Sequence, residues 1–373
     1  MEVDVAILGA GPAGATLAAL LARRGASVAL VDRDTFPRDK LCGEFLSYDA
    51  LPIARHLGVL AQIEHAPRIE TCRVVGRKRT YAFALPHPAR GVSRMLLDDL
   101  LVQTALANGA HDLTGWTAST LAPLRVQRNG EQRELAVKVI AGAWGRWGRF
   151  DTQLQRGFVR DRAHRNFGFK RHYSGPAPQH TIDLYAFANG YLGVNAIEGG
   201  LTNICGLVHE SRLAGHRGRW DAFVETLRHE EPQLDALYAR HPPAQDHFLS
   251  SEPVIFRARS AVEGGVFMVG DASGVIDPLT GNGMAMAMQS AVLAAPFLLR
   301  AIAGEDVANA YRQAHHALFA PRIRWSRAVA ALLSRPRALD AALATVRSRA
   351  IGRLFLTRTR GEVGQVERLL ERC

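Results

Sequence analysis

The chain opens with a glycine-rich turn whose spacing suits the binding of a phosphate group. The apolar run 3–8 leads into the pattern Gly-x-Gly-x-x-Gly, which ends at Gly14 and precedes a leucine-rich helical pattern. In such a pattern the first glycine permits a tight turn, the second lets a pyrophosphate approach the backbone, and the third lets helix and strand pack closely. Asp32 ends the next apolar run, 18 positions after Gly14, where a carboxylate binds ribose hydroxyl groups. The sequence therefore predicts a site for an ADP-containing cofactor, formed by Gly9, Gly11, Pro12, Ala13, Gly14, Asp32 and Arg33.

A second strand–glycine–helix element lies near residue 270. The apolar run 266–269 ends in Gly270-Asp271, and the sequence Pro-Leu-Thr-Gly-Asn-Gly-Met at 278–284 precedes a long apolar helical pattern that extends to residue 303. Asp271 therefore falls at the carboxyl end of a buried strand, the edge at which cofactors bind in open α/β sheets. Between the two glycine elements, four strand-like runs alternate with glycine and proline turns, which is typical of an antiparallel sheet; they span residues 166–173, 181–187, 191–197 and 201–208.

These patterns predict an α/β fold. Its core is a discontinuous Rossmann-like cofactor domain, into which an antiparallel β-sheet domain is inserted, and a helical segment follows at the C-terminus. We expect the cofactor domain to comprise residues 1–70, 90–150 and 250–304, the sheet domain residues 71–89 and 151–249, and the C-terminal helices residues 305–373.

Composition narrows the class of protein. Of the 373 residues, 47% are hydrophobic and 22% are charged, as in ordinary globular proteins. The first strand begins at once, which leaves no room for a signal peptide, and no uninterrupted apolar run is long enough to span a membrane. The four cysteines are scattered without a Cys-x-x-Cys spacing. We therefore expect a cytoplasmic protein without disulfides.

The formal charge of +11 raises the question of an acidic partner. No nucleic-acid recognition motif accompanies the charge, so we expect no nucleic-acid binding. The basic C-terminal helices leave open a contact with a membrane surface, a carrier protein or a separate reductase, although a solvated helical face explains them more simply; their arginines include Arg322, Arg324, Arg327, Arg347, Arg349 and Arg353. No histidine or cysteine spacing typical of metal sites is present, and we expect no metal.

Three motifs together resemble a known family. They are the glycine turn with Asp32, the segment Arg94-x-x-x-Asp98 at a helix start, and Gly270-Asp271-Ala272 followed by the turn at 278–284. The combination resembles the FAD-dependent monooxygenases of the para-hydroxybenzoate hydroxylase fold. It is most similar to their branch that includes geranylgeranyl reductases and flavin-dependent halogenases. The resemblance covers about residues 1–300 and implies FAD as the bound cofactor, with NADPH or NADH as the reductant.

The resemblance also implies roles for individual residues. The aspartate that matches Asp271 bonds the ribityl chain, and the arginine that matches Arg94 reaches the phosphate or ribityl region. The proline that matches Pro278 lines the isoalloxazine ring. The full set that the resemblance assigns to FAD, beyond the glycine turn, is Cys42, Gly43, Arg94, Asp271, Pro278, Gly281, Asn282, Gly283 and Met284. Trp144 stands where related hydroxylases carry an aspartate, and an indole cannot replace that hydrogen-bond acceptor. Direct reduction by NAD(P)H and reduction by a separate partner therefore both stay open.

The inserted sheet is expected to bind the substrate. Strand alternation places Lys170 and His172 on one face, and either side chain could orient or deprotonate a phenol. We expect Phe169, Tyr185 and Tyr191 to contact the substrate, which would be aromatic, polyketide-like or lipid, free or carrier-bound.

The favoured activity is hydroxylation of an aromatic or polyketide-like compound through a flavin C4a-hydroperoxide, as the resemblance implies. The main alternative is a flavin-dependent reductase of isoprenoid or lipid double bonds, suggested by Cys42-Gly43 and by the Pro-Leu-Thr-Gly turn. A halogenase, for which the sequence lacks a Trp-x-Trp-x-Ile-Pro stretch, and a flavin-binding partner protein without turnover are further alternatives.

Overall fold

A computed structural model describes residues 1–161, 165–216, 218–345 and 358–371. The described strands, in chain order, are β1 (Glu2–Leu8), β2 (Val28–Asp32), β3 (Phe45–Leu46), β4 (Arg68–Val75), β5 (Thr80–Gly91), β6 (His111–Thr114), β7 (Thr117–Leu121), β8 (Leu124–Arg128), β9 (Glu131–Gly142), β10 (Asn166–Tyr173), β11 (Thr181–Phe187), β12 (Gly190–Ala196), β13 (Thr202–His209), β14 (Leu249–Ser250), β15 (Val262–Glu263) and β16 (Val266–Met268).

The described helices are α1 (Pro12–Arg23), α2 (Leu51–Leu57), α3 (Arg94–Ala107), α4 (Arg149–Gln153), α5 (Trp220–Glu230), α6 (Pro232–Arg240), α7 (Gly283–Ile302), α8 (Ala308–Leu333), α9 (Pro336–Thr345) and, after the undescribed residues 346–357, α10 (Val363–Leu370). Short 3-10 turns at Gly270–Ala272 and Pro278–Thr280 follow β16. These two turns and the glycine turn after β1 form the frame of the site described below.

The first sheet is mainly parallel and carries both glycine elements. Its strand order is β15-β16-β9-β1-β2-β6, and the hairpin β7–β8 pairs with β9. β1 lies between β2 and β9 and is parallel to both, and β16 is parallel to β9. Residues far apart in the sequence therefore reach the same carboxyl edge of the sheet, where cofactors bind in folds of this kind.

The second sheet has eight strands in the order β14-β10-β13-β12-β11-β4-β5-β3. Neighbouring strands are antiparallel except for β11 and β4, which run parallel. One face packs against α5 and α6 through an aromatic core that includes Phe169 and Phe223. The other face carries a separate apolar cluster, which joins Tyr191 to Leu279 of the 278–280 turn. This face therefore borders the cofactor side of the molecule.

The largest core lies around α1, α3 and α7. Apolar residues of these helices pack with the faces of β1 and β2. Helix α7 is long and apolar enough, by length and composition, to cross a membrane, but most of it is buried inside the fold. Burial of apolar surface explains its composition, since a core helix is apolar on most sides.

The predicted fold class is confirmed: helices and two sheets form a mixed α/β architecture with helices at the C-terminal end. Hairpins join β4 to β5 and β8 to β9. Two helices, α5 and α6, follow residue 220, because Pro232 lacks the N–H that a continuous helix needs and instead starts α6. The predicted helical pattern over residues 346–357, with Arg347, Arg349 and Arg353, lies outside the described residues.

Candidate active site

The glycine turn has the geometry that its sequence predicts. Gly9 has a φ of +116°, and a Cβ added there would lie 2.3 Å from the carbonyl oxygen of Ala143. A Cβ on Gly14 would lie 1.8 Å from the carbonyl oxygen of Gly9. Neither position therefore admits a side chain. Helix α1 begins at Pro12. A proline is tolerated at this first position because the N–H there has no partner within the helix, and the N–H groups that follow are available to an anion at the turn.

Asp32 braces this turn from the end of β2. Its Oδ2 accepts a hydrogen bond of 2.7 Å from the N–H of Ala10, and its Oδ1 accepts one of 3.0 Å from Asp34. The guanidinium of Arg38 lies 3.5 Å from Oδ2. Arg33, in contrast, is exposed and pairs loosely with Asp34, so its side chain points away from the turn.

Positive charge gathers beside the glycine turn. The Nη2 atom of Arg94 would lie 3.5 Å from a Cβ on Gly11, and two bonds to Asp98 fix the guanidinium there. Burial and the nearby charges of Arg38 and Arg94 lower the pKa of Lys40 to about 8. Arg94 and Arg38 are paired with Asp98 and Asp32, but no carboxylate forms an ion pair with Lys40 among the described residues, and a diphosphate bound at the turn would favour its charged form. The sequence analysis did not select Lys40, which stands in an otherwise ordinary polar loop.

The turn at residues 270–272 lies against the start of α1. A Cβ on Gly270 would lie 2.8 Å from Cβ of Ala13, and the N–H of Gly270 donates to Ser290 Oγ at 2.7 Å. Asp271 is half-buried, and among the described residues no side chain forms an ion pair with its carboxylate. An acceptor is therefore available next to the start of α1.

The turn at 278–284 continues the same edge. Pro278 is exposed while its neighbours Asp277 and Leu279 are buried. Gly281 has a φ of +63° and lies against the ring of Phe45, and α7 begins at Gly283. The amide of Asn282 donates to the carbonyl oxygen of Thr359 at 2.8 Å, so that side chain holds the C-terminal segment. Met284 is buried in the helical core.

A buried charged cluster joins the second sheet to this edge. We define it as Asp39, Glu44, Lys170 and His172. Glu44 is its centre: Oε1 accepts from Lys170 Nζ at 2.6 Å, and Oε2 lies 2.7 Å from His172 Nε2. Lys170 Nζ also donates to Asp39 Oδ1 at 2.6 Å. The N–H of Arg94 donates to Glu44 Oε1 at 3.0 Å, so the charged cluster touches the residue that flanks the glycine turn.

The charged cluster is shielded from solvent. The side chains of Glu44 and Lys170 are 0% exposed and that of His172 is 5% exposed, whereas Asp39 is 19% exposed. Burial opposes the charge of Lys170, but Glu44 and Asp39 outweigh it and raise the pKa of Lys170 above its usual value. Glu44 has a φ of +51°, an unfavourable conformation for a residue with a side chain. The hydrogen bonds from Lys170 and to His172 hold the carboxylate in this conformation.

Three members of the charged cluster, Asp39, Glu44 and His172, place possible metal-ligand atoms close together. The ammonium of Lys170 lies within 2.6 Å of both carboxylates. Because it already supplies the positive charge, we assign no metal to this place.

Cys42 and Gly43 lie between these features. Cys42 is half-buried, and its Sγ accepts a bond of 3.4 Å from the N–H of Glu44. The carbonyl oxygen of Cys42 accepts from Asn203 Nδ2 at 3.2 Å, and a Cβ on Gly43 would meet no neighbour within 4 Å. This loop therefore joins the glycine turn to the second sheet and leaves open space at Gly43.

The predicted substrate residues fall on two different faces. Tyr191 lies on the cofactor side, and its hydroxyl donates to Asp277 Oδ1 at 2.7 Å. Burial raises the pKa of Asp277 to about 6, although the bonds from Tyr191 and from the N–H of Leu279 oppose the shift. Phe169 and Tyr185 instead pack in the aromatic core beneath α5 and α6. The expectation that Phe169 and Tyr185 contact the substrate is therefore corrected. Strand alternation separates the two faces of a sheet but does not tell which face borders the cofactor.

Trp144 fills a structural position. Its ring packs so closely on Gly142 and Gly148 that a Cβ on either glycine would lie within about 2.5 Å of it. Its Nε1 donates to the buried carboxylate of Asp151 at 3.2 Å, and Asp151 pairs with Arg156 at 2.9 Å. Arg156 in turn donates to the carbonyl oxygen of Ala272. Trp144 thus supports the 270–272 turn from behind.

FAD fits the residues at this edge. The glycine turn leaves a face on which no side chain could stand, Lys40 and Arg94 supply cations, Asp271 offers a free acceptor, and Pro278 is exposed where a ring would cover it. Each of these groups matches one part of the cofactor, from diphosphate to isoalloxazine. The individual contacts remain predictions.

Comparison with known proteins agrees with this geometry. Residues 2–169 match the family described as FAD binding domain. The whole chain has the fold of the flavin-dependent group that contains halogenases, geranylgeranyl reductase-like proteins and monooxygenases. The fold and branch expected from the sequence are confirmed.

Three similar proteins illustrate the range of that group. A tryptophan 2-halogenase of Chondromyces crocatus is 26% identical over 363 residues, which cover 88% of this chain and 67% of that protein. The solved structure of a flavin-dependent brominase has a TM-score of 0.79 at 19% identity and covers 100% of this chain and 98% of its own. The structure of a geranylgeranyl bacteriochlorophyll reductase-like protein from Thermoplasma acidophilum has a TM-score of 0.76 at 19% identity, with 99% of each chain covered.

Proposed function

We propose that this flavin-dependent enzyme is a monooxygenase that hydroxylates a phenolic, aromatic or polyketide-like small molecule. The observation that carries the proposal is the charged cluster, because it places a buried carboxylate between a lysine and a histidine at the cofactor edge. Bound FAD supplies the oxidative chemistry, transfer of one oxygen atom from dioxygen after reduction.

The charged cluster suits the activation of a phenol. A phenol ring accepts an electrophilic oxygen far more readily once its hydroxyl has lost its proton, and a closed site has no bulk water to take that proton. His172 and Glu44 are buried and hydrogen-bonded to each other, and Lys170 connects Glu44 to Asp39. Asp39 is the member of the cluster that reaches solvent, so the cluster links the buried face to the surface.

Glu44→Gln tests this proposal. Glutamine keeps one oxygen that can accept from the N–H of Arg94, but its neutral amide cannot balance the positive charge of Lys170. We expect FAD content to stay near that of the wild type while kcat for hydroxylation falls by about 100-fold or more, as for loss of a general acid–base group. Glu198→Gln is the matched control, because Glu198 accepts from the N–H of Ser93 at the same helix start without entering the cluster.

The assay follows incorporation of labelled oxygen from dioxygen into simple phenols. A product that gains one oxygen atom, together with the loss of activity in Glu44→Gln, supports the proposal. Full activity in Glu44→Gln would remove its basis, and a product that gains two hydrogen atoms would point to the reductase alternative.

Halogenation is the second candidate, because the relatives described above include a halogenase and a brominase. The same assay in the presence of bromide separates the two activities, since a halogenase returns a brominated product. We keep hydroxylation first because the charged cluster serves phenol activation without any halide.

The source of electrons forms a separate part of the proposal. NADPH or NADH could reduce the flavin directly, or a separate reductase could deliver electrons. Trp144 packs against its neighbours and donates to Asp151. An indole has no carboxylate with which to bind a nicotinamide cofactor. Mixing the FAD-loaded protein with NADPH or NADH under argon distinguishes the routes: rapid bleaching supports direct reduction, and a persistent yellow colour supports a separate donor.

A further inference from the structure

A buried arginine near the C-terminus has unused hydrogen-bond donors. Arg360 is 7% exposed, and its Nη2 donates to the carbonyl oxygen of Thr280 at 3.0 Å. Its Nε and Nη1 are buried and have no hydrogen-bond partner among the described residues. A guanidinium carries five N–H donors, and leaving them unpaired away from water is costly. The arrangement therefore calls for an acceptor that the described chain does not supply.

Charge around Arg360 is also unbalanced. Arg322 is buried nearby and donates to the amide oxygens of Gln289 and Gln365 rather than to a carboxylate. Asp49 is the one acidic group that acts on both arginines, and its Oδ2 already accepts from Gln289 and from the N–H of Gly361. Burial lowers the pKa of both guanidinium groups, because removing a charged group from water is unfavourable.

Undescribed parts of the chain do not supply a compensating side chain. Residues 162–164, 217, 346–357 and 372–373 contain no aspartate or glutamate. Among the described residues no carboxylate lies within ion-pair distance of either arginine. Among the described residues two buried cations thus share one carboxylate, and a bound anion would supply compensating charge.

Arg360 lies beside the predicted ring site. It bonds to Thr280, within the turn that begins at Pro278, and its guanidinium lies 5.4 Å from the ring centre of Phe45 and 5.6 Å from that of Tyr48. Phe45 and Leu279 belong to the apolar cluster that also contains Tyr191. The free donors therefore border the apolar cluster between the flavin-side turn and the second sheet.

We infer that Arg360 binds the carboxylate of an aromatic acid substrate. The planar guanidinium can give two parallel N–H···O bonds to a carboxylate, and the flanking rings of Phe45 and Tyr48 suit a flat ring attached to it. This assignment rests on the proposed function for the aromatic nature of the substrate, and it adds the anionic group by which the substrate is held.

Binding of benzoate to the oxidised, FAD-loaded protein tests the assignment, with benzamide as its neutral counterpart. We follow the flavin absorbance difference and confirm by calorimetry. The wild type is expected to prefer benzoate to benzamide by about tenfold or more, as for a charge-assisted pair. In Arg360→Gln that preference should fall to about one, and in Arg360→Lys it should be intermediate, because lysine keeps the charge but loses the fork.

Arg358→Gln is the matched control. Arg358 lies two positions away in the same segment but is exposed, so this variant should keep the wild-type preference. FAD content and melting temperature are measured for every variant. If Arg360→Gln does not fold, Arg360→Lys and the preference of the wild type itself still decide the question.

Equal binding of benzoate and benzamide by the wild type would overturn the assignment, as would an unchanged preference in Arg360→Gln. Tight binding of bromide without binding of benzoate would overturn it as well and would mark a halide site. Since no turnover takes place in this experiment, its result does not depend on whether phenols are hydroxylated, and either proposal can fail alone.

Discussion

The affinity of this protein for FAD should weaken as the pH rises above about 8, and Lys40 is the reason. In the absence of the cofactor, burial together with the charges of Arg38 and Arg94 lowers the pKa of Lys40 from 10.5 to about 8. A diphosphate bound at the glycine turn would be favoured by the charged ammonium. Above about pH 8 the free protein has lost this proton, so binding must recover it from solvent, and the measured affinity falls.

The size of the effect follows from the pKa. Each pH unit above the pKa of the free protein weakens binding by at most tenfold, or about 1.4 kcal/mol, as long as the bound form keeps its proton. Between about pH 7 and about pH 9 we therefore expect the dissociation constant to rise by about tenfold. Below about pH 7 the curve should be flat, because Lys40 is protonated in both forms.

The assay titrates FAD into protein stripped of its cofactor and follows the quenching of flavin fluorescence across this pH range. Lys40→Arg should bind FAD with little dependence on pH, because a guanidinium stays charged throughout. Lys40→Met should bind more weakly at every pH and should also show a flat profile. Lys138→Gln is the control, since Lys138 is an exposed lysine paired with Asp4, and it should behave like the wild type.

A wild-type dissociation constant that stays the same between about pH 7 and about pH 9 would refute the reasoning. A slope in Lys40→Arg equal to that of the wild type would also refute it, because another group would then be titrating. Either result would mean that the cation beside the glycine turn does not respond to the cofactor.

Three further predictions concern folding and cofactor retention. Gly14→Ala should abolish FAD binding, measured as bound flavin after gel filtration, because its Cβ would lie 1.8 Å from the carbonyl oxygen of Gly9. Asp277→Asn should stabilise the protein at about pH 7.5 by up to about 3 kcal/mol in urea unfolding, since it avoids ionising a buried group whose pKa is raised to about 6. This advantage should shrink at about pH 5, where the wild-type carboxyl keeps its proton, and a constant difference would contradict the assignment. Trp144→Phe should lower stability by about 1 to 2 kcal/mol through loss of its bond to Asp151; a larger loss of FAD than of stability would argue against a purely structural tryptophan.

The fold could be predicted largely from local patterns. The glycine turn, the apolar strands and the Asn129-Gly130 hairpin each depend on a few neighbouring residues whose backbone preferences are strong. The order of the strands follows from the parallel crossovers that such elements require. Nothing in these arguments needs contacts between distant parts of the chain, and this explains why they succeed.

Prediction of the site stopped where distant contacts begin. Glu44 follows directly on Cys42-Gly43, which the resemblance singled out, yet a glutamate in a polar loop is ordinarily solvated. In the fold it is buried against Lys170, which lies 126 positions later in β10 and donates to it. Lys170 and His172 were identified by alternation along one strand, but their shared partner could not be, because no local pattern links the two segments.

The C-terminal segment also depends on contacts between residues that are far apart in the sequence, which local patterns cannot predict. The N–H of Gly361 bonds to Asp49 across 312 positions, and the amide of Asn282 holds Thr359 across 77. Composition indicates an arginine-rich helical end, for which solvation is the ordinary explanation. Arg360 departs from this pattern. The chain on its two sides is held by buried bonds, from Asn282 to the carbonyl oxygen of Thr359 and from the N–H of Gly361 to Asp49, and Arg360 itself bonds to Thr280 of the flavin-side turn. An anionic ligand bound there would compensate the buried charge of Arg360, and the effect of this arginine on ligand choice can therefore be measured even without turnover.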